Sequence, residues 1–199
     1  MNITLEMLKY ERACRECKYW FASVFPEGGN YQSVIDKAVE DDHPGYAKWL
    51  LNTFGATDEV LELDIFDGKH LYFAGSIRIK GFLKSEFRVF AGRGIEAGGG
   101  IEAGEGIEAG EGIKAGRGIE AGEGIEAGDG IKAGDGIKAR WGITAGDGIT
   151  AVDGITAGWG INASHRLPSG EEEKITAKIE PGTVALGVVV NPENEGQQS

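Results

Sequence analysis

The chain has 199 residues, of which 32 are Asp or Glu and 20 are Lys or Arg, so its formal net charge at pH 7 is −12. This excess of carboxylates argues against direct binding of nucleic acid, which requires Lys and Arg to neutralise phosphates. A basic protein surface is the more natural partner. No apolar run is long enough to span a membrane, so no membrane partner is expected either.

Residues 1–64 predict a small helical cap. A first helix is expected over residues 4–25, where Pro26 and the glycines that follow end it. Asn30 is a good N-cap for a second helix over residues 31–40, and Gly55 ends a third helix over residues 46–54. A compact cap would cover the open end of the repeats that follow.

Cys14 and Cys17 have the spacing of a metal or redox pair, but the chain offers no companion site. His43, His70 and His165 are scattered, and two cysteines alone do not make a disulfide framework. We therefore expect no metal, no cofactor, no catalytic residue and a cytoplasmic location in a bacterial host cell. A dinucleotide-binding pattern at Gly92 recurs at almost every repeat, so it does not indicate a cofactor loop.

Residues 65–167 form a six-residue repeat whose plainest form is Gly-Ile-Glu-Ala-Gly-Glu. A large aliphatic residue returns every six positions from Ile65 to Leu167, and a small residue, usually alanine, follows two positions later. Alternation places both on one side of a short strand and the charged residue between them on the other. Glycine is expected at the corners between strands, where a positive φ is needed. Three such strands and corners per coil predict a mainly β fold, a triangular parallel β-helix of about 18 residues per coil. Its handedness is left open.

The first coils, residues 65–90, differ from the rest because they are aromatic and locally basic. Their aromatic side chains are expected to pack under the helical cap. The alternative is that their Lys and Arg form a surface for an anion.

After the repeats, residues 168–190 alternate apolar and polar residues around Pro181-Gly182, which predicts a β-hairpin. The hairpin could cap the last coil or pair with a second copy. The tail, residues 191–199, is expected to be disordered.

Nine carboxylates fall on two of the three predicted faces when the repeat is folded into such coils. One face carries Glu102, Glu105, Glu120 and Glu123, and the other carries Glu108, Glu111, Glu126, Asp129 and Asp147. Like charges stacked at strand spacing repel, so these ladders either keep a rigid rod soluble or bind a basic partner. We treat the nine residues as candidate binding residues.

Trp141 and Trp159 occupy the same corner position in consecutive predicted coils. Two stacked, exposed tryptophans are unusual on a monomer surface, and Trp is enriched at interfaces. The pair is therefore a second candidate binding site, although it could instead pack beneath the C-terminal hairpin.

Several N-terminal features resemble the cap of small proteins encoded by phages and prophages, which likewise continue into Gly-Ile-x-Ala-Gly repeats. They are Ala13-Cys14, Tyr19-Trp20-Phe21, Phe25-Pro26, Trp49-Leu50 and Phe54-Gly55. The architecture is more distantly similar to pentapeptide-repeat proteins, some of which mimic DNA and inhibit topoisomerases. The chain departs from them by its six-residue faces.

The resemblance implies a non-enzymatic phage-type protein. Its acidic, DNA-mimicking surface would inhibit a host nucleic-acid-binding complex, such as a restriction, CRISPR or topoisomerase complex. The partner would be a host protein with a basic nucleic-acid-binding groove. The alternative is a structural or assembly module that oligomerises, for instance as a homodimer, through the Trp corner or the C-terminal strand. A hexapeptide-repeat acyltransferase is disfavoured, because the repeat differs and no candidate catalytic histidine is present.

Overall fold

The computed structural model describes residues 1–163 and, beyond them, the three strands Lys174–Thr176, Ala185–Leu186 and Val188–Val190. Two hydrophobic cores organise it. One lies among the N-terminal helices, and the other fills the interior of a parallel β-solenoid.

The helical module contains a two-stranded antiparallel ladder and four helices. They are β1 (Asn2–Ile3), α1 (Leu5–Tyr10), α2 (Arg15–Val24), β2 (Gly29–Asn30), α3 (Tyr31–Glu40) and α4 (Pro44–Phe54). The single helix predicted over residues 4–25 is wrong, because the chain turns between α1 and α2 at Arg12, whose φ is +58°. The Cys14 sulfur then accepts a hydrogen bond from Cys17 N and caps α2. The predicted Asn30 cap is confirmed, since Asn30 Oδ1 accepts from the N–H of Gln32.

Three parallel sheets form the faces of the solenoid. The first face contains β3 (Val60–Leu63), β6 (Ser76–Ile79), β9 (Ile95–Ala97), β12 (Ile113–Ala115), β15 (Ile131–Ala133) and β18 (Ile149–Ala151). The second face contains β4 (Phe66–Gly68), β7 (Leu83–Ser85), β10 (Ile101–Ala103), β13 (Ile119–Ala121), β16 (Ile137–Ala139) and β19 (Ile155–Ala157). The third face contains β5 (Leu71–Phe73), β8 (Val89–Ala91), β11 (Ile107–Ala109), β14 (Ile125–Ala127), β17 (Gly142–Ala145) and β20 (Gly160–Ala163).

The predicted coil length is confirmed by the strand register. Ile101 lies beside Ile119, and Ile107 lies beside Ile125. The isoleucine and alanine of each strand point inward, and from Ile95 to Ala163 each is at most 7 % exposed. Burying an isoleucine side chain stabilises a fold by about 1.5–3 kcal/mol, so the stacked isoleucines are the main source of stability of the solenoid.

The first coil is shorter than the repeat predicts. Leu61 pairs with Ile77, and Phe66 pairs with Leu83, so the paired positions are closer in sequence here than in the later coils. Ile65, predicted to be the first inward residue, is therefore turned outward and is 67 % exposed, while its neighbour Phe66 packs against the interior. The regular phase begins at Leu71.

The corner glycines are needed for space and not for a positive φ. Among the described glycines only Gly28, Gly55 and Gly154 have a positive φ, so the general expectation of left-handed corners is wrong. A Cβ added at Gly104, Gly116 or Gly122 would instead stand 2.0–2.1 Å from a carbonyl oxygen of the preceding coil. At these three positions glycine is required because the neighbouring backbones approach more closely than a Cβ allows.

The helical module packs against the flank of the third face as well as its exposed edge. Tyr72 and Phe90 point outward from β5 and β8, yet both are buried because they belong to the core of the helices. The first strand of this face lacks a preceding neighbour, and the Gln32 amide substitutes for one. Its Nε2 donates to Tyr72 O at 2.9 Å, and its Oε1 accepts from Ala74 N at 2.9 Å. The helical cap predicted for the first sixty-odd residues thus both covers an edge and shields a face.

The C-terminal strands that the structure describes continue the sheets in parallel. Ile175 pairs with Ile149, and Val189 pairs with Ile175 on the first face, while Ala185 pairs with Ile161 on the third face. The predicted antiparallel hairpin is therefore wrong for these strands, because their alternating pattern serves equally well to extend a parallel ladder. The predicted disordered tail, residues 191–199, lies outside the described residues.

Candidate partner-binding surface

The nine predicted carboxylates occupy two kinds of position. Those in the middle of a strand, facing outward, are Glu102 and Glu120 on the second face and Glu108 and Glu126 on the third. Those at corners are Glu105 and Glu123, between the second and third faces, and Glu111, Asp129 and Asp147, which follow strands of the third face. The structure thus brings them onto adjacent faces, as the repeat predicts.

Arg88 collects three of these carboxylates at the boundary with the helical module. Its guanidinium lies 2.6 Å from Glu123, 3.6 Å from Glu105 and 3.6 Å from Glu108. Lys48 of α4 also donates to Glu108, at 2.7 Å. These side chains are half-buried. The Lys48–Glu108 pair joins the helical module to the third face, whereas the Arg88 pairs join neighbouring coils of the solenoid, so none of the three carboxylates is free to bind a partner.

Three more of the predicted carboxylates are paired along the solenoid. Glu111 accepts from Arg93 at 3.0 Å, and Glu120 accepts from Lys138 at 3.1 Å. Glu102 lies 3.7 Å from Lys84. Each pair joins equivalent positions of consecutive coils, so the pairs could have been found from the repeat. Six of the nine candidates therefore already have a cationic partner inside the chain.

The other three form what we call the distal acidic patch: Glu126, Asp129 and Asp147. All three are exposed, and none makes an ion pair with any other residue that the structure describes. Asp147 donates its N–H to Asp129 O at 3.3 Å, so the two residues lie at the same corner of adjacent coils. The patch is the part of the predicted acidic surface that stays available to a partner.

The predicted stacking of the two tryptophans is present. The rings of Trp141 and Trp159 are 5.9 Å apart between centroids and 17° from parallel. They are 47 % and 78 % exposed. They stand at the corner between the second and third faces. The helices cover the first strands of the third face, and we call the uncovered later strands its open half. Tryptophan lies along one edge of this open half, Glu126 lies in its middle, and Asp129 and Asp147 lie along the other edge.

A groove of about 300 Å³ lies at the foot of Trp141, between that ring and Arg88 with its carboxylates. Its side-chain lining is Arg88, Glu108, Glu123, Glu126, Trp141 and Thr144. We call it the Trp141 groove. The repeat does not predict that Arg88 and Lys48 neighbour these carboxylates. Lys48 reaches Glu108 only through the docking of α4.

Three of the basic residues of the first coils are paired as well. Arg78 donates to Glu62, Lys80 donates to Asp64, and Arg88 serves the cluster described above. An anion-binding surface on these coils thus lacks free cations at these three positions. The aromatic residues divide: Tyr72 and Phe90 pack under the helices as predicted, whereas Phe82 and Phe87 stay exposed.

The cysteine pair is a packing and capping feature in the structure. Cys17 is buried, and burial, with Cys14 beside it, raises the pKa of its thiol to about 11. It is therefore protonated at neutral pH, whereas metal binding and redox chemistry use the thiolate. Within the described part of the chain, His, Cys, Asp and Glu form no group of three or more arranged for a metal ion. Nor does that part contain a helix with the length and apolar character to cross a membrane.

The fold and these surfaces define a parallel β-solenoid with an N-terminal helical module. Residues 1–55 match the family model of the YdhT N-terminal domain. No curated protein and no solved structure matches the chain. The match covers the helical module and leaves the solenoid, with its distal acidic patch and tryptophan pair, outside it. The phage origin implied by the resemblance of the cap stays a prediction.

Proposed function

We propose that this chain is a non-enzymatic binding protein that docks onto a basic, nucleic-acid-binding groove of a host protein. By occupying that groove it would inhibit a host defence or topoisomerase complex. The observation that carries the proposal is the distal acidic patch. Glu126, Asp129 and Asp147 are exposed and have no ion-pair partner among the described residues, and they lie on the same open half-face as Trp141.

The charge of the solenoid defines what kind of mimic it would be. Residues 89–163 hold 12 Asp and Glu and 6 Lys and Arg, a net charge of 6 − 12 = −6, spread over about four coils that rise about 4.8 Å each. This is roughly one net negative charge per 3 Å, about half the density of duplex DNA. The solenoid as a whole therefore has a lower charge density than the DNA it would mimic. Its attraction for a basic groove would be strongest at the unpaired distal acidic patch.

Interface chemistry supports the same half-face. Side chains already held by internal ion pairs must break them before they bind a partner, whereas Glu126, Asp129 and Asp147 need not. The other half of the third face packs against the helices of the same chain, so this face is already used for protein–protein packing. Tryptophan is among the residues most enriched in binding hot spots, and Trp141 borders this half of the face.

Affinity capture from a nuclease-treated lysate of the host cell tests the proposal. The wild-type chain should retain a basic protein that duplex DNA displaces, and the variant Glu126→Gln/Asp129→Asn/Asp147→Asn should lose it. The matched control is Glu102→Gln/Glu120→Gln, which removes two ion-paired carboxylates of the second face and should retain the protein. Equal capture by both variants, or capture that DNA does not displace, would contradict the proposal.

A second candidate function is assembly through the tryptophan pair, which is favoured by the 78 % exposure of Trp159. Two copies that meet at this corner would bury both stacked rings. Light scattering after size-exclusion chromatography distinguishes the two functions. A dimer or larger oligomer that Trp159→Lys converts to monomer supports assembly, and a monomeric wild-type chain contradicts it.

A further inference from the structure

We infer that the Trp141 groove is the specificity pocket of this surface and that it takes a single arginine or lysine side chain of the partner. The inference rests on the proposed function, because it names the group on a basic partner that the open half-face would recognise. Three observations lead to it: the free face of Trp141, the net charge of the groove, and its size.

One face of the Trp141 ring is available to a ligand. The stacking on Trp159, at 5.9 Å and 17° from parallel, occupies the face turned towards the following coil. The opposite face looks towards the preceding coil, where Trp141 N bonds to Glu123 O and where the groove lies. The face of an indole ring is the best aromatic surface for a cation, within about 6 Å of the ring centroid.

The groove stays negative although it contains Arg88. Three carboxylates, those of Glu108, Glu123 and Glu126, line it beside a single cation, Arg88, so the local net charge is 1 − 3 = −2. Arg88 and Lys48 neutralise Glu105, Glu108 and Glu123 in part, whereas Glu126 has no cationic partner among the described residues. A guanidinium placed over Trp141 would find Glu126 as its carboxylate partner, a fork geometry for which arginine is better suited than lysine.

The groove is suited to a side chain and not to a larger ligand. Its volume of about 300 Å³ is at the lower end of the range of small-molecule sites. Its floor is the backbone of β14 and of Gly142, and Thr144 supplies a hydroxyl at its rim. A long, thin cation on a flexible stem is of a size to fill it.

The test uses a blocked tri-arginine peptide and the full chain labelled with ¹⁵N-tryptophan. The chain has four tryptophans, and Trp141→Phe identifies the indole signal of Trp141. We expect tri-arginine to shift the Trp141 signal saturably while the signals of Trp20 and Trp49 stay in place. A tri-citrulline peptide, which has the same shape without the charge, should produce no shift.

Variants then assign the binding to the groove. Trp141→Leu should weaken binding of tri-arginine by about five- to thirtyfold, the effect of losing a partly desolvated cation–π contact, and Glu126→Gln should weaken it by at least threefold. The matched control is Trp159→Leu, which removes a stacked ring that does not line the groove and should change binding by less than twofold. Circular dichroism checks that each variant is folded. If Trp141→Leu is not folded, Glu126→Gln and the indole shift decide the question.

The inference is overturned if tri-arginine leaves the Trp141 signal unmoved, if citrulline shifts it equally, or if Trp141→Leu binds the peptide as wild type does. Its failure is distinguishable from failure of the proposed function. If the distal-patch variant loses partner capture but the peptide does not bind at Trp141, the proposed function stands and the arginine site in the Trp141 groove is refuted. If the peptide binds at Trp141 but the distal-patch variant captures the partner as wild type does, the arginine site stands and the proposed function is refuted.

Discussion

Replacing one corner glycine with alanine should destabilise the solenoid, whereas replacing the next glycine along the chain should not. A Cβ at Gly122 would stand 2.0 Å from Gly104 O, but a Cβ at Gly124 would stand 3.3 Å from Gly142 O. Non-bonded heavy atoms prefer about 3.5–4.0 Å. The Gly122→Ala corner must therefore open by more than an ångström, which stretches the 2.9 Å bond from Gly122 N to Ala103 O.

The cost can be estimated from these two effects. Overpacking costs about 1–3 kcal/mol, and a weakened hydrogen bond costs about 0.5–1.5 kcal/mol, so Gly122→Ala should lose about 2–4 kcal/mol. For a chain of this length, 1 kcal/mol lowers Tm by about 2–4 °C, and a decrease of roughly 4–16 °C is expected. Gly124→Ala should change Tm by less than about 3 °C, because its slight crowding is offset by reduced entropy of the unfolded chain.

Thermal unfolding followed by circular dichroism measures both variants under identical conditions. Two later coils already carry a side chain, Arg140 and Val152, at the position equivalent to Gly122. At Arg140, one coil beyond Gly122, the N–H still donates to Ala121 O, but at 3.2 Å against the 2.9 Å bond of Gly122. At Val152 the N–H donates to Asp135 O instead, so each of these side chains accompanies a longer or a replaced bond. If Gly122→Ala melts with the wild type, or if Gly124→Ala loses as much as Gly122→Ala, the argument from backbone proximity is wrong.

Three further predictions concern the junction between the helical module and the solenoid. Gln32→Ala should lower the free energy of unfolding by about 1–3 kcal/mol in urea titrations, because it removes the two bonds that cap β5; a loss below about 0.5 kcal/mol would contradict edge capping. A double-mutant cycle of Lys48→Met and Glu108→Gln should give a coupling of about 1 kcal/mol, and no coupling would mean that the pair does not hold the module. Burial lowers the pKa of His70 below its usual 6.5, with its Nδ1 unpartnered among the described residues. The unfolded chain therefore takes up a proton first as pH falls below about 6.5, and stability should decline; His70→Gln should flatten the decline of Tm between pH 7.5 and 5.5, and an unchanged slope would contradict the assignment.

The repeat made the solenoid predictable. The strict return of isoleucine every six residues and alanine two positions later fixes which side chains share a face, and the structure places Ile101 beside Ile119 accordingly. The same period predicts the pairs Lys138–Glu120 and Arg93–Glu111. These pairs show that charge on a solenoid face should be counted down each column of stacked coils before a surface is described as acidic.

Other features depend on tertiary contacts that a period cannot encode. Ile65 keeps the six-residue phase, but the first coil is shorter, so Phe66 takes the inward place. Lys48 reaches Glu108 only because α4 docks on the third face. Tyr72 and Phe90 offered a signal for that docking, since they are apolar side chains at outward positions where later coils have Glu108 and Glu126.

Hydrogen exchange of the chain with and without its captured partner locates the binding interface. Docking through the distal acidic patch should add protection in peptides that cover residues 124–129 and 141–147, with little change over residues 1–55 and over the second-face strand Ile119–Ala121. Protection confined to the helical module, with no change around Glu126, Asp129 and Asp147, would contradict it.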